Sequence, residues 1–170
     1  IDVSEEALRK AIEKHNELCR VVTEIGNYRK LKNPPLTGYE FHLIELVSEC
    51  CPHDLIMPYL KETLEELKTR EPDPKPWFKA RVLVVGSEVD DTDFIKLIEG
   101  CGALVVADRY CYGSLEARNH INIEPGDDPL TAVAKHYLLK SQCARFMEQQ
   151  EMRHRKKVLA DYGIQLWRNM

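Results

Sequence analysis

The sequence predicts an α/β fold: an N-terminal helical segment followed by a small parallel, flavodoxin-like sheet that the chain does not complete. Three observations carry this. Apolar residues recur near helical spacing through the first part of the chain. The stretch "EPDPKPWFKA", with three alternating prolines, then marks a stiff, extended connector. Beyond it the pattern changes to short branched apolar runs alternating with helical ones, as in sheets with right-handed crossovers. Residues 1–70 read as the helical segment, 71–80 as the proline-rich linker and 81–170 as the α/β domain, ending in a polar helix.

The first helix begins after Ser4, a favoured N-cap, with Glu5 and Glu6 in the turn where carboxylates suit the helix dipole. Leu8, Ile12, Cys19, Val22 and Ile25 form its apolar stripe, and the spacing carries it to about Lys32. "NPPLTG" stops it, because Pro34 and Pro35 cannot continue the ladder. A second helix is expected over Gly38 to Cys50 and a third over His53 to Thr69, with Pro58 in its first turn or at a kink. Val82 to Val85 read as a strand buried on both faces. Phe94, Ile95, Leu97 and Ile98 sit on a helix ending at Gly100 or Gly102. "ALVVAD" is the next strand, and "HINIEP" is expected as a short third one. Asp128 caps a further helix with Pro129 in its first position. The last helix covers roughly residues 144–161. The strands are expected to be buried between the helices at 92–100 and 129–139.

The chain has 170 residues, 44% hydrophobic and 31% charged, with a net charge of -4. It can bury a core, and it lacks the basic excess that a nucleic-acid or anionic-membrane surface needs. No apolar run has the length of a membrane span. The first residue is Ile1, as in a processed or excised chain. The six cysteines show no C-x-x-C pair, zinc spacing or disulfide pattern, so they read as reduced thiols of a cytoplasmic protein.

Ligands of α/β sheets gather at the C-terminal ends of strands. The loops there are residues 86–91 and 108–114. The first has only Gly86, no Gly-rich phosphate fingerprint, and Glu88, Asp90, Asp91 and Asp93 at the helix start. Those carboxylates repel a phosphate where a bare helix N-terminus would attract one. This is a poor nucleotide cradle, and the acids read equally as helix caps. Asp108 lies where dinucleotide-binding domains keep a ribose carboxylate, a weak signal without the glycines. "DRYCYGS" reads as a tight turn at Gly113 or as a ligand loop. Ser87 and Glu88 are the candidate catalytic residues, read as facing a crevice, with Glu88 an acid-base group if burial raises its pKa. Gly86, Asp108, Arg109, Tyr112, Gly113 and Ser114 are candidate binding residues, with the two loops expected to line one crevice. The histidines show no ligand-like spacing.

"SEEALRKAIEKHNELCR", "NPPLTGYE", "RVLVVGSEVDDTDFIKLIEGCGALVVADRYCYGS" and "DPLTAVAKHYLLKSQCARFMEQQEMRHRKKVL" together resemble, in order, the middle portion of the 2-hydroxyacyl-CoA dehydratase and benzoyl-CoA reductase family. The resemblance implies an oxygen-sensitive iron-sulfur enzyme subunit carrying a 4Fe-4S cluster and paired with a sister subunit. An ATP-dependent activator protein would inject one electron toward an acyl-CoA thioester, for radical dehydration or ring reduction. The family's cluster cysteines lie outside the matching regions, so the chain reads as a central segment. No metal ligand is expected within it, Cys111 being a remote candidate, and no stable cluster is expected on it alone. An incomplete sheet is also expected to self-associate through its open edge or first helix. A non-catalytic docking protein and a flavodoxin-like small-ligand binder remain the alternatives.

Overall fold

The computed structural model describes residues 1–73, 77–86, 88–114 and 119–139. Helix α1 spans Glu5–Asn27, with Ser4 accepting from the Ala7 amide at its start. It ends earlier than the apolar spacing suggests. A 3-10 turn at Tyr28–Lys30 follows, and it puts Arg29 inside the protein, 1% exposed. Helix α2 spans Gly38–Cys50, started by a capping box in which Thr37 and Glu40 satisfy each other's backbone amides. Helix α3 spans His53–Thr69, with Pro58 inside it. The three helices share a core of Val22, Ile25, Leu36, Phe41, Met57, Leu60, Leu64 and Leu67. Gly26 permits the closest approach of α1 and α2: a Cβ there would meet the Phe41 ring at 2.7 Å.

Strand β1 spans Ala80–Val85 and starts two residues before the Val-Leu-Val-Val run. Helix α4, Thr92–Gly100, is capped by Asp91 and ends before Gly102, whose φ of +87° favours glycine. Strand β2, Ala103–Arg109, pairs with β1 in parallel, from Ala80 opposite Ala103 to Val85 opposite Arg109, with one irregularity after Val82. This is the small α/β unit that the alternation predicted. Ile95, Val105 and Tyr110 form its core with Val82, Val84 and Ile98.

Two expectations are corrected. No strand forms at residues 120–125. The Asn16 side chain occupies the backbone there instead, donating to the Ile121 carbonyl and accepting from its amide, both at 2.9 Å. The segment thus docks on α1 rather than joining the sheet. Helix α5, Pro129–Leu139, is capped by Asp128 as expected, but it packs on α1 through Ile12, Ile121 and Ala132. Without it on the sheet, β1 is only half-buried and Val85 is exposed, whereas Leu104 to Ala107 of β2 are fully buried. The expected helix at about residues 144–161 lies outside the described residues.

Candidate functional site

Both strands end at the same side of the molecule. The Gly86 amide donates to the Arg109 carbonyl at 3.1 Å, so the two strand-end loops start in contact. Beneath them lies a buried polar knot. Asp108 is 0% exposed and accepts from the Arg29 guanidinium at 2.9 Å. Its other carboxylate oxygen accepts from the Ser114 amide at 2.7 Å and the Ser114 hydroxyl at 2.9 Å. Arg29 also stacks on the Phe41 ring, 3.7 Å from its centre. A cation desolvated on one side by an aromatic face and neutralised on the other by a carboxylate meets the conditions for burying charge.

The knot shapes the turn. Gly113 lies against it so closely that a Cβ would meet Asp108 Oδ2 at 2.5 Å and the Tyr110 ring at 2.6 Å. Only glycine fits there, and Gly113 in turn lines a cavity of about 320 Å³. Helix α1 supplies His15, Leu18, Cys19 and Val22 to the lining, α2 supplies Glu45, Ser48 and Glu49, and α5 supplies Tyr137. His15 Nε2 is 3.4 Å from Cys19 Sγ and 3.1 Å from the Asn119 carbonyl oxygen. Cys19 and Glu45 are each 2% exposed. Apolar walls from α1 thus face carboxyl groups from α2.

A second buried pair adjoins the first. Burial, with Asp108 nearby, pushes the Tyr110 phenol well above its usual range, so it stays protonated. It therefore donates to His42 Nδ1, 3.1 Å away. His42 is itself 0% exposed, and its Nε2 has no hydrogen-bond partner among the described residues. Burial lowers the His42 pKa below 6.5, with Asp108 opposing this and Arg29 adding to it. As pH falls below 6.5, the unfolded chain takes up a proton that the folded chain refuses. Stability should be complete above pH 6.5 and fall below it, by at most about 1.4 kcal/mol per pH unit for one proton. Urea titrations from pH 7.5 down to about pH 5.5 test this, above the range where most carboxylates titrate. His42→Gln should flatten the slope, and an equal slope in that variant would assign it to another group.

The sequence-expected residues divide. Asp108, Gly113 and Ser114 meet in the knot, and Gly86 touches the Arg109 backbone. Arg109 is buried. Glu88, Cys111 and Tyr112 are exposed, so Glu88 has none of the burial that its acid-base role presupposed. Ser87 lies outside the described residues. Asp108 has both carboxylate oxygens engaged within the protein, so it bears on the cavity through Gly113 and Ser114. Arg29, His42, Glu45 and the His15–Cys19 pair were not legible as site residues in the sequence. One signal was available: on α2, His42, Glu45 and Ser48 recur every third residue among Phe41, Leu43, Ile44, Leu46 and Val47, and all three are buried.

A family model described as 2-hydroxyglutaryl-CoA dehydratase, D-component, matches residues 1–167. The chain belongs to that family. No curated protein matches the chain. As its description says, the D-component is one component of a dehydratase, so its members are subunits of 2-hydroxyacyl-CoA dehydratase-type enzymes that work with a partner subunit. Among the described residues of this family member, no helix is long and apolar enough to cross a membrane. Nor do three His, Cys, Asp or Glu side chains gather there in a group that would hold a metal. Cys19 is buried, Cys50, Cys101 and Cys111 are exposed, and none of these four forms a disulfide. The described residues do not fit an iron-sulfur cluster.

Proposed function

We propose that the chain helps bind the acyl-CoA of a 2-hydroxyacyl-CoA dehydratase, with the cavity behind Gly113 taking the acyl group. The observation that carries this is position. A cavity of about 320 Å³, walled by Leu18 and Val22 and edged by Glu45 and Ser48, lies beside the strand-end loop of β2. Strand ends are where α/β sheets hold ligands, and part-apolar cavities of this size take small organic groups. Family membership supplies the substrate class. The overall reaction is balanced without an external oxidant: the C2–O and a C3–H bond break, a C2–C3 double bond forms, and water leaves.

In this reading the chain's own residues bind and exclude water. Leu18 and Val22 hold the acyl side chain. Glu45, buried on α2, takes the role of giving or taking a proton at the substrate's hydroxyl end in this reading. The Asp108–Arg29 knot fixes Gly113 and so the shape of the wall. A 4Fe-4S cluster, a sister subunit and an ATP-dependent activator belong to the proposal as parts supplied from outside the described residues.

Filling the cavity tests it. Leu18→Trp, assembled with its partner subunit and activator under anaerobic conditions, should lower kcat/KM at least about tenfold, the lower end of what a pocket contact controls. Circular dichroism and the unfolding midpoint check that the variant is folded. A folded variant with unchanged kcat/KM would remove the acyl group from this cavity.

A further inference from the structure

Resting on that reading, we infer that Tyr110 is a positioning residue for the acyl group: its bond to His42 ties the turn that carries Gly113 to the helix that carries Glu45 and Ser48, and so holds two walls of the cavity in register. Tyr110 and Gly113 share the turn that follows β2. The Tyr110 ring is 2% exposed and lies against Gly113, where a Cβ would meet it at 2.6 Å. A shift of the ring therefore moves that wall. On α2, His42 lies one turn before Glu45, and Glu45 one turn before Ser48, so each pair shares a face of the helix. Glu45 and Ser48 line the cavity, and His42 lies beside it, 0% exposed. The phenol hydroxyl meets His42 Nδ1 at 3.1 Å, with the two rings edge to face at 87°.

The turn is held at two points. Arg29 holds Asp108, and through it Ser114, from the 3-10 turn after α1. His42 holds Tyr110 from α2. This second tie depends on a proton. The hydroxyl donates only while Nδ1 keeps its lone pair, and the neutral ring then carries its proton on Nε2. A proton on Nδ1 makes that nitrogen a donor and takes the acceptor away from a buried phenol. Asp108 and Asp90 favour the protonated ring, while burial and Arg29 oppose it, and burial weighs most. Glu45 and Glu99 also act on Tyr110, on the same side as Asp108, and keep the phenol protonated. The tie is thus complete above pH 6.5 and is released only below it.

The test is steady-state kinetics on the dehydratase assembled with its partner subunit and activator, under anaerobic conditions, from about pH 7.5 to about pH 5.5. The probes are 2-hydroxyglutaryl-CoA and 2-hydroxyhexanoyl-CoA. Tyr110→Phe keeps the ring and removes the hydroxyl. It should raise KM about fivefold, the fold-change of one ordinary hydrogen bond, and leave kcat within about twofold. The parent KM should stay level down to pH 6.5 and rise below it, whereas the KM of Tyr110→Phe should already be high and stay level. His42→Asn sets an uncharged amide oxygen near the place of Nδ1, so it should keep KM close to the parent value and remove the rise at low pH. Circular dichroism at each pH checks that the variants are folded, and Tyr110→Phe carries the test if His42→Asn does not fold. A lower unfolding midpoint with the parent's pH profile intact in Tyr110→Phe would make the bond merely structural and overturn the inference. So would a KM unmoved by Tyr110→Phe while Leu18→Trp lowers kcat/KM, and the cavity would then still take the acyl group. A folded Leu18→Trp with unchanged kcat/KM, or turnover of neither thioester, would overturn that reading and the inference with it.

Discussion

Asp108→Ala should destabilise the fold by about 3–5 kcal/mol, the usual result of stranding one partner of a buried ion pair. The Arg29 guanidinium sits 1% exposed, 2.9 Å from Asp108, and the Phe41 ring covers one face. Removing the carboxylate leaves a positive charge in the interior with the aromatic face and a long 3.4 Å contact to the Gly26 carbonyl. The Ser114 amide and hydroxyl lose their acceptor in the same step. A single large drop in the urea midpoint is the expected readout. The double variant Arg29→Met with Asp108→Ala should recover much of the loss, because no unpaired charge remains and Met fills part of the space. A loss under about 1 kcal/mol in the single variant would mean that solvent reaches Arg29, since exposed pairs contribute no more than that. A double variant no better than the single one would place the cost in the Ser114 contacts.

The elements were legible where the signal is local. The "NPPLTG" turn and the Asp128 cap before Pro129 are each written within a few residues, and α2 and α5 start where they indicate. The apolar runs of β1 and β2 are as plain, because strands buried in a parallel sheet need no alternation. The failures share one cause. Arg29 meets Asp108 across 79 positions, Glu99 meets Gly38 across 61, and Asn16 meets Ile121 across 105. On a helix such residues look like a solvated face, since buried charge is rare and its pairing depends on the tertiary fold. The third strand was misread for the same reason: "HINIEP" has strand composition, but Asn16 takes the backbone groups that a neighbouring strand would need. In the candidate site the turn glycine and Asp108 were visible as a loop motif. The cavity behind them was not, because two of its walls belong to the helical segment on the other side of the linker.

Glu99→Ala should rival Asp108→Ala in cost, although Glu99 has no charged partner in its hydrogen bonds. The side chain is 7% exposed at the end of α4. One oxygen accepts from the Gly38 amide at 2.8 Å and the Val105 amide at 3.1 Å, and the other accepts from the Tyr39 amide at 3.1 Å. Gly38 and Tyr39 open α2, so the carboxylate sits on the positive end of that helix and takes two of its unpaired first-turn donors. Val105 belongs to the middle of β2. A single carboxylate therefore joins the helical segment to the sheet. Gly38 shows how tight the joint is: a Cβ there would meet Val105 Cβ at 2.5 Å, so no larger residue or inserted water has room beside it. Alanine at 99 leaves two buried N–H groups and one part-buried one without this acceptor, at about 1–3 kcal/mol for each buried group before relaxation, so a net loss of about 3–5 kcal/mol is expected. Glu99→Gln keeps one acceptor oxygen and turns an NH2 group toward the remaining amide, and should cost roughly half as much. Amide hydrogen exchange locates the effect. The amides of Gly38, Tyr39 and Val105 should be protected in the parent chain and exchange fastest in the alanine variant, with Thr37 and Glu40 still holding the rest of the α2 start. Uniformly faster exchange would mean that only global stability fell, and unchanged protection of these three amides would show that Glu99 does not hold α2 to the sheet.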